Sequence, residues 1–193
     1  MLRALIIAAA FVVAAGCGSS GAKFNSTDIT GANYGGELHL TDHTGKPRTL
    51  ADFRGKVVAL FFGYTFCPDV CPTTLAEMKS VLARLGDDAK RVQVLFVTVD
   101  PERDTPALLA RYVTAFDPGF LGLYGDADAT AQAARSFRVF YEKVPGSSPK
   151  TYSINHTAGT YLIDPQGRLR LFVRYGQDVD ATAADIRLLL QGK

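Results

Sequence analysis

The sequence predicts an α/β sandwich with a mixed central sheet and an added N-terminal β-hairpin. Three observations carry this. Val57 to Gly63 is a continuous apolar run of strand length, as expected for a strand buried on both faces, and Val92 to Val99 reads as a second buried strand. Between them, Pro72 to Leu85 places Leu75, Met78, Val81, Leu82 and Leu85 at helical spacing. Further on, Pro165-Gln166-Gly167 separates Tyr161–Asp164 from Leu169–Tyr175, a strong hairpin signal. Strands and helices mixed in this order build layers around one core.

Taken in order, Glu37 to Asp42 alternates polar and apolar residues, and Gly45-Lys46-Pro47 supplies the turn of the N-terminal hairpin. A loop over Thr49 to Lys56 leads into the first buried strand. The helix after it stops at Gly86, and the second buried strand follows. Asp104 or Thr105 caps a helix that carries Pro106 in its first turn and continues to Phe116. Phe120 to Tyr124 is short and extended, and Asp126 caps a helix from about Ala127 to Phe137. Val139 to Ile154 shows no regular period. The hairpin over 161–175 comes next, and Val179 to Leu190 forms the last helix. There is no internal repeat.

The N-terminus has the pattern of a targeting segment. Arg3 precedes an Ala-rich apolar stretch, Leu5 to Ala15, which is shorter than the roughly 20 residues of a membrane-spanning helix. Gly16-Cys17 then resembles the end of a bacterial lipoprotein signal, in which the cysteine carries the lipid, although Ala14 stands where that motif usually has Leu. Plain secretion and an uncleaved anchor are the alternatives. The expected organisation is a signal peptide over 1–16, a flexible tether rich in Gly, Ser, Thr and Asn over 17–36, and one domain over 37–193. The formal charge is +2, or +1 once Arg3 is removed, which gives no basis for nucleic-acid binding.

Three cysteines are present, and with Cys17 assigned to lipid a single pair remains, Cys67 and Cys71. One close pair does not make a disulfide scaffold. The pair sits in Tyr64-Thr65-Phe66-Cys67-Pro68-Asp69-Val70-Cys71-Pro72, between a strand and a helix, where a thioredoxin-like fold keeps its reactive sulfurs. Helix geometry puts positions i and i+4 on one face, and free N–H groups at a helix start favour thiolate. Two chemistries fit: thiol–disulfide exchange, and binding of a soft ion such as Cu(I). An inert disulfide or two core thiols is the bland alternative. Of the three histidines, His39 and His43 lie in the N-terminal hairpin among polar residues and read as surface or turn positions. His156, just before the strand at Thr160, would face the cysteine turn in a thioredoxin-like sheet and can offer an imidazole there, or simply hydrogen-bond within a loop. Asp69 suits a helix cap or a modulator of thiolate charge, and Met78 suits helix core.

Four segments together resemble the Sco/SenC family. They are Tyr64 to Pro72; Val97-Thr98-Val99-Asp100-Pro101-Glu102-Arg103-Asp104-Thr105-Pro106; Asn155-His156-Thr157; and Tyr161 to Gly167. The resemblance implies a thioredoxin-like, membrane-anchored copper protein that helps assemble the dinuclear copper centre of cytochrome c oxidase. It implies Cys67, Cys71 and His156 as copper ligands, with the ion as Cu(I) or Cu(II). The partners it implies are the copper-receiving oxidase subunit, another copper donor and a thioredoxin-like reductant, with the domain outside the cytoplasm in a bacterial cell envelope. The family often has Asp before the histidine, where this chain has Asn155. Asp100 to Pro106 reads as a shaped loop in which Arg103 pairs with an acid, and docking of a partner is the second option for it.

The rival classes are a thiol–disulfide oxidoreductase, a copper or redox sensor, and a peroxidase. Against the first, thioredoxins carry Cys-x-x-Cys and an Ile-Pro opposite the site, which is not evident here. Against the last, the peroxidase pattern wants Thr three and Pro seven residues before its cysteine, whereas Thr65 lies two before Cys67 and the seventh position is Leu60.

Overall fold

The structure, a computed structural model, describes residues 23–147 and 151–193. The signal segment, Cys17 and the start of the tether lie outside the described residues. In chain order the strands are β1 (Thr27–Asp28), β2 (Leu40–Asp42), β3 (Pro47–Arg48), β4 (Val57–Gly63), β5 (Val92–Thr98), β6 (Leu121–Tyr124), β7 (Tyr141–Val144), β8 (Ser153–His156), β9 (Gly159–Ile163) and β10 (Leu169–Arg174). The α-helices are α1 (Val70–Leu85), α2 (Pro106–Phe116), α3 (Ala127–Ser136) and α4 (Val179–Leu190). Eight strands form one mixed sheet in the order β1-β10-β9-β4-β5-β6-β2-β3, while β7 and β8 form a separate antiparallel ribbon. β4, β5 and β6 run parallel, and β9 lies antiparallel to β4.

All seven residues of β4 are buried, which is why its sequence is continuously apolar and not alternating. Phe61, Phe62, Phe96, Leu60, Leu95 and Leu162 anchor the core from β4, β5 and β9. Each such side chain contributes about 1.5–3 kcal/mol by leaving water. The helix ends follow the local sequence. Thr105, and not Asp104, caps α2 by accepting the Leu108 N–H at 3.2 Å. Asp126 caps α3 by accepting the Ala129 N–H at 2.8 Å. The N-terminal hairpin β2–β3 joins the sheet edge beside β6, its turn gathered by buried Asp42, which accepts from the Thr44 and Lys46 N–H groups and from Arg48. Among the described residues no helix is long and apolar enough to cross a membrane.

One expectation is corrected, and one irregular stretch gains an element. The composition of 17–36 predicts a flexible tether, but the described part of it is built into the domain. β1 pairs with β10, and fully buried Asp185 on α4 accepts the Asn25 N–H at 2.8 Å, the Ser26 N–H at 2.7 Å and the Ser26 hydroxyl at 2.6 Å. The polar residues that suggested solvation are the donors this buried carboxylate needs. The stretch Val139 to Ile154, less regular in sequence, supplies all of β7 and the first half of β8, a ribbon in which Tyr141 faces His156 and Val144 faces Ser153. Its alternation is weak because, of the residues on its two strands, only Ile154 is buried.

Candidate metal centre

The end of β4, the turn into α1 and the ribbon strand β8 meet at one point. Gly63 ends β4, Tyr64 to Asp69 make the turn, and α1 begins at Val70, two residues earlier than its apolar spacing predicts. Pro72 lies in the first turn, where a backbone N–H would have no helical acceptor. Buried Asp104 holds the turn against β5. It accepts the Thr65 N–H at 3.1 Å, the Thr65 hydroxyl at 2.5 Å and the Thr98 hydroxyl at 2.6 Å, and its burial raises its carboxyl pKa. From the other side, the Ile154 N–H of β8 donates to the Tyr64 hydroxyl at 3.2 Å, tying the ribbon to the turn.

This framework brings Cys67, Cys71 and His156 together. Their donor atoms all lie within 4.8 Å of one another, and both cysteines are free thiols. Among the described residues no fourth His, Cys, Asp or Glu joins them. Cys71 is buried, whereas Cys67 is half-buried. His156 Nε2 lies 3.4 Å from the Cys71 Sγ. Its Nδ1 lies 3.1 Å from the Thr157 carbonyl. A carbonyl only accepts, so Nδ1 carries the proton and the Nε2 lone pair faces the sulfurs, the tautomer a metal ligand needs. Phe61 and Tyr64 meet the imidazole edge-on at centroid distances of 5.9 and 6.0 Å, fixing the ring plane.

The two sulfurs have opposite characters. The thiol of Cys71 donates to Cys67, which holds the Cys67 pKa down to about 5; the backbone N–H groups of Asp69 and Cys71 add to this, and burial works against it. The same hydrogen bond, with burial, pushes the Cys71 pKa far above the ordinary thiol range. The metal-free pair therefore keeps one proton between two sulfurs, with Cys67 as the accessible thiolate.

The other residues singled out in the sequence lie elsewhere or act differently. His39 is exposed, and His43 accepts the Gly122 N–H through Nδ1 at 3.1 Å on the sheet edge. Asp69 occupies the helix N-cap position without a capping bond from its side chain; it serves the site through its backbone N–H on Cys67. Met78 is core. Asn155 is exposed and precedes His156 on a strand, where neighbours alternate faces, so the Thr157 carbonyl orients the imidazole and the side chain at 155 does not. Arg103 does pair with an acid, Asp100, at 2.5 Å. Sequence reasoning missed Gly63, where a Cβ would come within 2.8 Å of the Cys71 Sγ. Its place directly before the cysteine turn is the signal that could have found it.

A thioredoxin-like domain that presents two sulfurs and one imidazole at the start of α1 defines a class of small metal- and redox-handling proteins. Comparison with known proteins narrows it: the SCO1/SenC family model matches residues 26–191, and the chain belongs to that family. The mitochondrial protein SCO2 homolog of Bos taurus is 46% identical over 142 residues, which make up 72% of this chain and 52% of that one. The chain thus spans about half the length of the curated relatives it matches. Among solved structures, copper-bound ScoI of Bradyrhizobium japonicum is 43% identical with a TM-score of 0.75, over 81% of this chain and 99% of that one. Apo Sco1 of Thermus thermophilus is 42% identical with a TM-score of 0.76, over 86% and 97%.

Proposed function

We propose that this chain binds one copper ion as Cu(I) through Cys67, Cys71 and His156 and passes it to the copper-receiving subunit of cytochrome c oxidase. The convergence of the three donor atoms within 4.8 Å carries the reading. Two thiolates favour a soft monovalent ion, and a three-donor set falls short of the closed four-ligand shell of a structural zinc site. Loading releases the proton that the sulfur pair retains. The half-exposed Cys67 gives an acceptor's ligands a side from which to take the ion. Phe66 and Phe140 are exposed apolar side chains next to this opening, Phe66 preceding Cys67 and Phe140 hydrogen-bonded through its backbone to Thr157. They suit a partner surface.

The test is anaerobic titration of the reduced full-length chain in detergent against a chromogenic Cu(I) chelator. One tight equivalent is expected for wild type, weakened about 100- to 1,000-fold in His156→Ala. Weak binding that ignores the histidine would sink the reading.

One observation favours a second use of the same residues: a thiolate at Cys67 beside a buried thiol at Cys71 is an attacking and a resolving sulfur. Disulfide formation and copper binding exclude each other, so a thioredoxin-like reductant would control loading. We further propose that Cys17 carries a lipid that holds the domain at the membrane of a bacterial cell envelope, on the strength of the Leu5–Ala15 stretch ending in Gly16-Cys17. Cys17→Ser is expected to abolish incorporation of labelled palmitate; undiminished labelling would reject the anchor.

A further inference from the structure

We propose that Arg103 is a positioning residue that latches the histidine-bearing β7–β8 ribbon onto the cysteine turn, and so sets how much of the copper affinity His156 can supply. This rests on the copper reading above and adds a residue outside the donor set. Arg103 lies in the loop between β5 and α2. Its Nε donates to Asp100 at 2.5 Å, and its Nη1 donates to the Tyr152 carbonyl at 2.9 Å. Its Cζ lies 3.5 Å from the Tyr152 ring centroid, 4.8 Å from that of Phe66 and 5.8 Å from that of Tyr64. The Tyr152 hydroxyl closes the ring of contacts by donating to the other oxygen of Asp100 at 2.7 Å. Asp100 is fully buried and spends one oxygen on the arginine and one on the tyrosine.

One guanidinium therefore touches three separate pieces. Asp100 belongs to its own loop, Tyr64 and Phe66 belong to the turn that carries Cys67, and Tyr152 immediately precedes β8, whose last residue is His156. The ribbon needs such a tie because, among the described residues, its strands pair with each other and not with the main sheet. The neighbouring Glu102–Lys143 ion pair at 2.5 Å also bridges loop and ribbon, but both partners are solvent-exposed and such pairs contribute little. Only arginine combines a flat face for stacking with a fork that reaches a carboxylate and a carbonyl at once. Its Nη2 is buried without an acceptor among the described residues. A donor left unsatisfied is unfavourable, so the arrangement is better explained by the geometry it enforces than by stability alone.

The experiment is a double-mutant cycle in the reduced full-length chain, read as Cu(I) affinity against a competing chelator. Arg103→Lys keeps the charge and loses the fork. It is expected to weaken copper about tenfold when His156 is present and by less than about twofold in the His156→Ala background. Tyr152→Leu, which removes the stacking face and the hydroxyl while leaving Arg103 in place, must show the same pattern. Equal losses in both backgrounds, or no loss, would overturn the latch. Unfolding of both metal-free variants, seen as loss of a cooperative thermal transition, would make the cluster a folding element and also overturn it. If His156→Ala alone leaves wild-type affinity unchanged, the copper reading itself fails, an outcome visible in the same data.

Discussion

Cys71→Ala is expected to cut Cu(I) affinity by about a thousandfold, on the scale of roughly 3–4 kcal/mol per ligand implied by structural metal sites. It is also expected to change the sulfur that remains. In the metal-free wild type the Cys71 thiol is the largest contributor to holding the Cys67 pKa down to about 5. Cys67 is then thiolate across the neutral range, so its rate of alkylation by iodoacetamide is flat from about pH 6 upward and falls only as pH drops through about 5. Because its folded pKa lies below its unfolded one, the Cys67 thiolate contributes stability that is full above the unfolded thiol pKa and fades as pH falls to about 5. Removing the Cys71 side chain deletes the donor but leaves the backbone N–H groups of residues 69 and 71. The alkylation midpoint should therefore climb toward the ordinary thiol range without reaching it. A midpoint in Cys71→Ala still near 5 would show that the helix start, and not the neighbouring thiol, makes Cys67 acidic.

The same locality explains how much the sequence revealed. β4, α1 and β5 were legible because burial on both faces and helical periodicity are properties of adjacent residues. The Cys-x-x-x-Cys turn was legible because proline and a helix start surround it. His156 was found from its place before β9 in a thioredoxin-like order. What stayed hidden depends on distant partners. The ribbon that carries His156 buries only Ile154 from its two strands, and it is held by Tyr64 and Arg103, residues 90 and 49 positions from the groups they bind. No local period can encode such ties. The polar segment before β2 misled in a related way, since its hydrogen-bond acceptor, Asp185, lies about 160 residues further along the chain.

Gly63→Ala is expected to damage fold and site together, which makes it the sharpest test of how β4 delivers the cysteines. The backbone at Gly63 is ordinary strand, so the cost comes from space and not from conformation. A Cβ there would approach the Cys71 Sγ to 2.8 Å, the Phe61 ring to 2.9 Å and the Phe96 ring to 2.9 Å. None of the three can yield freely. Phe61 and Phe96 pack against each other with centroids 6.1 Å apart, Phe96 also packs on Tyr112 at 5.5 Å, and Phe61 is one of the rings bracing His156. Cys71 is fixed in the first turn of α1. Overpacking of this kind costs about 1–3 kcal/mol, to be read as a lower denaturation midpoint of the metal-free protein. Relief by displacing Sγ or Phe61 would separate the donor atoms, so copper affinity should fall as well. Gly36→Ala is the matched control, because its Cβ would meet open space at a φ that alanine accepts, and it should change neither quantity. A Gly63→Ala protein as stable and as copper-avid as wild type would mean that the sulfur reaches the site by a looser route than the strand end dictates.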